Sequence, residues 1–358
     1  MSSNDNAVEF SGGLARVLED LPIGSALLTV PKQECLVAAA EFSHLSPVEA
    51  LAATLLKRES TDDAVADFSD NVNSTLEWSA PEMALISNTA AYFETERAKR
   101  ALMESFLQVK LALRCTKQAW IKANARAHCF FFQDLLVPHL SAFRADTPNA
   151  KAVSVEVSED SVIFVAQEDV QQGDALNFPV AGVRAMLAGA LPSPHTVSAW
   201  AQLQQSPLAP VQLKILSLNG FRRLHEFRLS DSTPVPHGLR AFVRVQLMGM
   251  EDIMELLEDL EDEEDEQKRD VVPQYVSASN EYRMLHALKQ TFTQMLRNVP
   301  QVPTEAPADC KLPRFNIARA LAVHDTAVLN KAIAMVDADI ARLEEDMPEL
   351  RQHVRVSS

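Results

Sequence analysis

Histidines are the side chains that most often serve as general bases or metal ligands, and those of this sequence are dispersed. None has the i, i+4 or H-x-H spacing beside a carboxylate that a zinc site or a catalytic pair needs. The histidines concerned are His128, His139, His195 and His225. We therefore expect surface or packed histidines and no metal site.

The cysteine spacing and the absence of common glycine-containing motifs exclude further kinds of functional site. The cysteines are Cys35, Cys115, Cys129 and Cys310. They lack CxxC spacing, so we expect reduced, buried thiols rather than a zinc cluster or a disulfide framework. The sequence contains no G-x-S-x-G, Walker or G-x-G-x-x-G motif, which removes the usual signatures of hydrolases and nucleotide-binding proteins.

The net charge and two charged segments indicate which kinds of molecule this protein could bind. The formal net charge is −16, which disfavours direct binding to nucleic acid because phosphate neutralisation dominates that affinity. Residues 258–266 are almost wholly acidic, which indicates either a solvated connection or a surface for a basic segment. Residues 221–225, F-R-R-L-H, are either a solvated basic face or a contact for an acidic partner. We expect a protein partner, a basic segment or a larger assembly; the alternative is that the charge serves only solubility.

Length and apolar content are those of a globular protein. The 358 residues are enough for two domains, and 47% of them are hydrophobic. No run of 18 apolar residues occurs, so no membrane span is expected. The polar, acidic first residues lack the features of a signal or transit peptide, which favours the cytoplasm or nucleus. An organelle stays open if a presequence has been removed.

Hydrophobic periodicity predicts strands on both sides of a helical block. Residues 14–17 and 26–30 read as short strands, and Ser46-Pro47 begins a helix as an N-cap followed by proline. Residues 102–127 carry apolar side chains at three- and four-residue spacing, which predicts a helical block. Residues 150–180 alternate between apolar and polar and should form antiparallel strands beside residues 13–31.

The second half of the sequence is mainly helical in pattern. A Pro- and Ser-rich stretch places a domain boundary near residue 200. Residues 211–215 and 226–229 are predicted to form a small hairpin. The predicted helices are 239–257, 280–298 with Asn280 as N-cap, 316–323 and 327–343. The proline-containing residues 297–310 read as a linker.

Several segments resemble SET domains in the family's order. Residues 13–31 contain G-L-A-R-V, D-L-P-I-G and L-L-T-V-P, similar to the family's glycine-rich strand, D-I-x-x-G turn and L-L-x-V-P strand. Residues 119–130, with A-W and A-R-A-H-C-F, resemble its W-A … S-R-x-F helix. L-V-P at 136–138 is similar to the V-P before its D-L-x-N-H-S motif. Residues 166–174 resemble its A-x-x-D-I-x-x-G-E turn.

The second half resembles the C-terminal domain of the Rubisco large-subunit methyltransferase type. Residues 236–244 are similar to its L-P-x-x-L-L-x-x-L-R segment, and residues 280–288 to its N-E-x-x-x-L-x-x-L helix. Residues 316–333 resemble its closing helices. The sequence is thus identified as a diverged SET-domain protein of the Rubisco large-subunit lysine methyltransferase type.

The resemblance implies an α+β fold in two domains. Residues 1–200 would form a SET-like β-domain with a helical insert at about 46–127, and residues 205–358 a mainly helical lobe, which in the family holds the protein substrate. It also implies S-adenosylmethionine as methyl donor. In SET enzymes a glycine-rich strand and an Asn-His pair hold this cofactor, while tyrosine hydroxyls orient the amine in a narrow channel.

This sequence departs from the family at those positions. The Asn-His pair falls on Arg144 and Ala145, which cannot reproduce an amide or an imidazole. No tyrosine occurs between Tyr92 and Tyr275, so no catalytic residue is assigned. The family's tyrosines would fall at Phe178 or Val180 and near Ala190. The vestigial candidates for cofactor contacts are Gly12, Gly13, Arg126 and Asn149.

Two functions follow from this comparison. In the first, the protein has lost methyl transfer, needs no cofactor and acts as a protein-binding scaffold or assembly factor. In the second, it is an S-adenosylmethionine-dependent methyltransferase that acts on lysine or histidine in a protein. The missing tyrosines and Asn-His pair favour the first; Arg126 and the intact order of segments favour the second.

Overall fold

A computed structural model describes residues 7–11, 13–61, 68, 72–144, 149–180, 183–193, 195–254 and 275–352. The chain divides into two compact units. The first comprises Met1–Pro194 and Pro300–Ala322, and the second His195–Val299 and Val323–Ser358. Residues 300–322, which the sequence placed in the C-terminal lobe, therefore belong to the first unit. The proposed domains 1–200 and 205–358 stay a prediction.

The strands are short, as expected for a chain with many turns. They are β1 (Val8–Ser11), β2 (Leu14–Val17), β3 (Ala26–Pro31), β4 (Leu36–Val37), β5 (Phe131–Phe132), β6 (Leu135–Leu136), β7 (Lys151–Val157), β8 (Ser161–Ala166), β9 (Leu176–Asn177), β10 (Val197–Gln202) and β11 (Leu224–Leu229).

The α-helices separate these strands into groups. They are α1 (Pro47–Glu59), α2 (Ala80–Ala84), α3 (Ala90–Leu113), α4 (Lys117–Phe130), α5 (Ala209–Leu218), α6 (His237–Leu247), α7 (Ala278–Asn298) and α8 (Leu312–Asp346). Short 3-10 helices lie at Lys32–Glu34, Ala40–Phe42, Thr75–Glu77, Leu140–Arg144, Val183–Ala188 and Pro348–Gln352.

The first unit contains a sheet in the order β3-β8-β7-β9. Strand β8 runs antiparallel to both β3 and β7, with Val162 opposite Val30 on one side and Val157 on the other. Val162 and Phe164 of β8 are fully buried, as the alternating pattern requires. This confirms that residues 150–180 return to the N-terminal strands.

A helical insert separates the N-terminal strands from their later partners. Helices α1 to α4 lie between β4 and β6, which pair with each other as Leu36 with Leu136. Helix α1 begins as predicted: Ser46 and Glu49 form a reciprocal capping box, and Pro47 occupies the first turn. The α+β fold with a helical insert is therefore confirmed.

The helical block predicted across residues 102–127 is confirmed, and it consists of two helices, α3 and α4. Helix α3 ends at Arg114, whose φ of 48° is left-handed. Helix α4 then begins at Thr116, whose hydroxyl accepts a hydrogen bond from the Ala119 amide at 3.1 Å. The end of α3 and the start of α4 depend on local backbone geometry and capping, which hydrophobic periodicity does not predict.

The second unit corrects the predicted hairpin. Residues 211–215 lie in α5, where Gln212, Ile215 and Leu216 are buried at helical spacing. Strand β11 pairs antiparallel with β10, which the sequence prediction missed. The short V-Q-L-K-I segment fits both the two-residue period of a strand and the 3.6-residue period of a helix. Only the preceding Pro210, in the first turn, favours the helix.

Two helix ends in the second unit also differ from expectation. Ser277, and not Asn280, caps α7: its hydroxyl accepts from the Asn280 amide at 3.1 Å. Asn280 is buried instead and donates to the Arg244 carbonyl at 3.2 Å. The predicted helix 239–257 is interrupted: α6 ends at Leu247, Met248 is extended, residues 250–254 are helical again, and residues 255–257 lie outside the described residues.

Helix α8 is continuous where the sequence predicted a break at residues 324–326. Asp325 lies at that point, and its carboxylate contacts His195 Nε2 at 2.7 Å. Because this side chain is engaged with the imidazole, it does not compete for the helix backbone.

Residues 310–321 are held in the first unit by a buried ion pair. The Arg314 guanidinium lies 2.9 Å from the Glu82 carboxylate, and both side chains are almost fully buried. Glu82 also accepts from the Lys311 amide at 3.0 Å and the Ser79 amide at 2.8 Å. The bonds from Arg314 and Lys311 connect the start of α8 to α2.

No helix in the described ranges is long and apolar enough to cross a membrane. The acidic run at 258–266 lies outside the described residues.

Candidate functional site

Arg144, which the sequence comparison placed at the family's asparagine, is part of the protein interior. It ends the 3-10 helix Leu140–Arg144 and is 5% exposed. Its Nη1 donates to the carbonyls of His128 at 2.6 Å and Cys129 at 2.8 Å, and its Nη2 donates to Phe131 at 2.8 Å. The guanidinium therefore binds the carboxyl-terminal end of α4 and the first residue of β5.

The position of the Arg144 guanidinium is explained by the carbonyl groups at the carboxyl-terminal end of α4. The last carbonyls of a helix have no partner within the helix, and the helix dipole favours a cation there. Burial lowers the pKa of Arg144 to about 10, which still leaves it protonated at neutral pH. Among the described residues no carboxylate forms an ion pair with Arg144, and its buried Nε has no hydrogen-bond partner.

The positions expected for tyrosine carry apolar side chains that are packed. The Phe178 ring lies edge-on to Phe132 at 5.7 Å, and the Phe178 amide donates to the Phe143 carbonyl at 2.5 Å. This bond joins Phe178, one of the two positions expected for the first tyrosine, to the segment that carries Arg144. Ala190 is buried after the 3-10 helix Val183–Ala188. None of these side chains can donate a proton or orient an amine through a hydroxyl.

The tyrosines in the described residues lie on other elements. Tyr92 is on α3, Tyr275 precedes α7 and Tyr282 is within it. The Tyr282 hydroxyl donates to Glu344 at 2.7 Å. Burial is the main cause, and the Glu344 carboxylate the second, of a pKa of Tyr282 raised to about 12. The hydroxyl therefore stays protonated and donates a structural hydrogen bond.

The four candidate cofactor residues are placed as follows. Gly12 lies outside the described residues. Gly13 has a φ of 82° and forms the turn between β1 and β2. Asn149 is exposed just before β7 and also has a positive φ, 63°. Arg126 on α4 forms an ion pair with Glu59 at the end of α1, Nη1 to Oε1 at 2.5 Å.

These residues are not joined into one cluster by direct bonds. Within the described part of the chain, no hydrogen bond or ion pair connects any two of Gly13, Arg126 and Asn149. Their assignment to a cofactor site stays a prediction. Among the described residues, no group of three His, Cys, Asp or Glu side chains is arranged to hold a metal ion.

A cleft of ligand size lies elsewhere in the first unit, between α1 and α3. Its volume is about 730 Å³, and its polar lining includes His44, Lys57, Gln108 and Arg114. Lys57 is paired with Glu41 at 2.9 Å. None of the candidate cofactor residues lines this cleft.

Sequence reasoning missed two structural roles. It recognised Arg144 as a loss of the family's amide but not as the cap of α4, for which no local motif exists. It also missed the Glu82–Arg314 pair, although the S-x-x-E pattern at residues 79–82 marks a capping box. Local sequence contains the cap but not its distant partner.

Comparison with known proteins shows similarity in fold and in one segment of the sequence. The family described as Rubisco LSMT substrate-binding matches residues 204–323. No curated protein sequence matches the chain. The structure is similar to the SET domain of LSMT bound to lysine and AdoHcy, with a TM-score of 0.69 and 17% identity over 96% of this chain and 89% of that one.

Other structures of the same protein match equally well. Rubisco LSMT bound to AdoMet gives a TM-score of 0.69 at 17% identity, over 96% of this chain and 90% of that one. Rubisco LSMT bound to sinefungin and monomethyllysine gives 0.70 at 16% identity, with the same coverage of 96% and 90%. This chain therefore has the fold of the Rubisco LSMT structures, and its residues 204–323 match the Rubisco LSMT substrate-binding family.

Proposed function

We propose that this protein binds other proteins as a scaffold or assembly factor and does not transfer methyl groups. The observation that carries the proposal is Arg144. Its two terminal nitrogens are bound to backbone carbonyls at the end of α4, at the position where the family has its cofactor-binding asparagine. To free this guanidinium for a ligand, the chain would have to leave those carbonyls unpaired in the interior.

The chemistry of the cofactor supports the same conclusion. S-adenosylmethionine carries a sulfonium cation and an ammonium group against one carboxylate. A buried arginine at the cofactor position is a like charge, which disfavours that ligand. The residues present thus do not fit the cofactor as the family holds it.

The part of the site that would hold the substrate amine lacks the family's tyrosine hydroxyls as well. A lysine amine has an ordinary pKa of about 10.4 and must lose a proton before it attacks the methyl group. Phe178 and Ala190 offer no hydroxyl to orient that amine. Positioning of donor and acceptor can supply roughly 7–11 kcal/mol of the barrier, and this contribution is lost without the orienting groups.

The lobe is the part that we expect to remain functional. Residues 204–323 match the substrate-binding family, and we propose that this part of the chain binds a basic segment of a protein partner or of a larger assembly. A cytoplasmic or nuclear location is part of the same proposal.

A protein methyltransferase is the second candidate. It is supported by the likeness to Rubisco LSMT structures, which extends over 96% of this chain and includes complexes with AdoMet and AdoHcy. Under this alternative a rearranged site would use S-adenosylmethionine to methylate lysine or histidine.

Calorimetric titration of the purified chain with S-adenosylmethionine separates the two candidates. We expect no saturable heat at millimolar cofactor, because Arg144 is held by the α4 carbonyls. Rubisco LSMT, titrated in the same buffer, is the positive control. A saturable signal with a micromolar dissociation constant would overturn the proposal and support the methyltransferase.

A further inference from the structure

The outer face of the β10–β11 ribbon, in the second unit, is uncovered. Val197, Ala199 and Ala201 of β10 point inward and are buried. Trp200 points outward and is 53% exposed, and Leu224, on the same face of β11, is 50% exposed. The other tryptophans of the chain, Trp78 and Trp120, are buried.

Three exposed arginines belong to the same ribbon. Arg222 and Arg223 immediately precede β11, and Arg228 lies on β11 opposite Ser198. In the part of the chain that the structure describes, none of the three forms an ion pair with a carboxylate. Glu226 lies opposite Trp200 on the same face, is partly buried and accepts a hydrogen bond from the Ser198 hydroxyl at 2.6 Å.

The corner that carries Arg222 and Arg223 is rigidly packed. The Phe221 ring contacts the rings of His225 at 5.1 Å and Phe242 at 6.1 Å. The Phe221 amide donates to the Leu216 carbonyl at 3.0 Å, and the Arg223 carbonyl accepts from the Leu203 amide at 2.8 Å. The two guanidinium groups are therefore presented from a fixed backbone, which reduces the entropy cost of binding.

We propose that this ribbon face, defined as Trp200, Arg222, Arg223, Leu224 and Arg228, binds an acidic segment of a partner protein. The segment lies along the ribbon in extended form, with an apolar side chain on Trp200. Exposed tryptophan and arginine are the side chains that most often anchor protein interfaces. This proposal holds whether or not the chain transfers methyl groups.

The spacing of the arginines defines the ligand. Arg228 lies on the Trp200 face of β11, and Arg222 lies six residues before it, a separation of at most about 20 Å along an extended chain. An extended peptide matches them with acidic residues at both ends and an apolar residue in the middle. A nucleic acid fits less well, because the net charge of −16 repels a long polyphosphate.

The test uses the full chain and a nine-residue synthetic peptide with two acidic residues at each end and a central leucine. Binding is measured by the anisotropy of a fluorophore on the peptide. Iodide quenching provides a second readout, because Trp200 is the exposed tryptophan. We expect saturable binding that weakens with salt and protects Trp200 from iodide.

Matched variants locate the surface. We expect Arg222→Glu combined with Arg223→Glu to weaken binding about tenfold or more, and Arg228→Glu or Trp200→Ala to weaken it clearly. The control is Arg297→Glu combined with Arg319→Glu, which makes the same charge change at exposed arginines of α7 and α8. It should alter the affinity by less than about twofold, since distant charges are screened. All of these side chains are exposed, so the urea midpoint should stay at the wild-type value.

Other outcomes contradict the proposal. Absent binding, equal binding of a peptide with lysine in place of the acidic residues, or an unchanged affinity of the Arg222/Arg223 variant would each overturn it. Tighter binding of an oligouridylate would assign the face to nucleic acid instead. Peptide binding that appears only when residues 261–264 are neutralised would assign it to this chain's own acidic run. Dimerisation abolished by the same arginine changes would assign it to a second copy.

Discussion

Arg144 connects the fold of this protein to its proposed loss of activity. The Arg144 side chain, predicted to replace the family's asparagine, is a buried helix cap. Its three internal hydrogen bonds give Arg144 a structural role in stability.

Replacing Arg144 with Met should therefore unfold the protein more easily. The change leaves buried carbonyls of α4 and β5 without donors, at a cost of about 3 kcal/mol. Arg144→Lys should cost less, because an ammonium group can still satisfy part of the helix end. The free energy of unfolding in urea measures both, with Arg100→Met on the exposed side of α3 as control. If Arg144→Met were as stable as the control, the cap would contribute nothing.

The cysteines give a second test at this scale. Cys35 and Cys129 are buried, and burial raises the pKa of each thiol to about 11. Cys115 and Cys310 are only partly buried. Since the thiolate is the reactive form, a thiol reagent in native buffer should modify Cys115 and Cys310 first and the other two only after denaturation. Mass spectrometry of the labelled peptides identifies the order, and early labelling of Cys129 would contradict it.

At the scale of elements, the contact between α2 and α8 holds the structure of the first unit together. Glu82 and Arg314 are separated by 232 residues in sequence and form a buried pair. Around them Trp78, Ile86, Met186 and Leu321 form an apolar cluster. The return of residues 300–322 to the first unit therefore depends on one charged contact surrounded by apolar side chains.

Glu82→Gln should destabilise the first unit by about 3–5 kcal/mol, because it leaves the Arg314 cation buried without its counter-charge. In a double-mutant cycle, Glu82→Gln with Arg314→Met should cost less than the sum of the two single changes. Urea unfolding measures each variant. Additive costs would mean that the two side chains do not interact.

The same pair predicts a dependence on pH. Burial raises the pKa of Glu82, but hydrogen bonds from Ser79, Lys311 and Arg314 outweigh it and hold the pKa below the ordinary 4.5. A lowered folded-state pKa contributes stability above the unfolded value, and this contribution is lost as the pH falls through the folded value. The difference in unfolding free energy between wild type and Glu82→Gln should thus be constant near neutral pH and shrink below pH 4.5. A difference that persisted in strong acid would contradict this.

At the scale of the whole molecule, the net charge of −16 should govern how fast partners associate. Residues 258–266 concentrate that charge, although they lie outside the described residues. The basic ribbon face has the opposite sign, so the lobe would offer two surfaces that select different partner segments.

Changing Glu261, Asp262, Glu263 and Glu264 to Gln and Asn should slow the association of a lysine-rich peptide, most strongly at low salt. Stopped-flow mixing measures the rate, and the urea midpoint should be unchanged. Arg126→Ala is the companion variant: it removes the partly exposed ion pair with Glu59 but should leave peptide binding unchanged. If Arg126→Ala abolished binding and the acidic change had no effect, the vestigial cofactor region would be the working site.

Elements with a clear local period were predictable from the sequence. The alternation at residues 153–157 and 162–166 determined β7 and β8, and Ser46-Pro47 determined the start of α1. The ordered resemblance to SET domains predicted the closure of these strands across a helical insert. The absence of tyrosine between Tyr92 and Tyr275 is likewise a property of the sequence alone.

Tertiary structure decided the features that depend on distant partners. Residues 211–215 fit both a strand and a helix, and became a helix because β10 is the strand that pairs with β11. Arg144 is a cap only because the end of α4 lies beside it, and Glu82 is a buried charge only because α8 returns to the first unit. Periodicity reports which face of a segment is apolar, but a hydrogen bond between remote residues leaves no pattern in the local sequence.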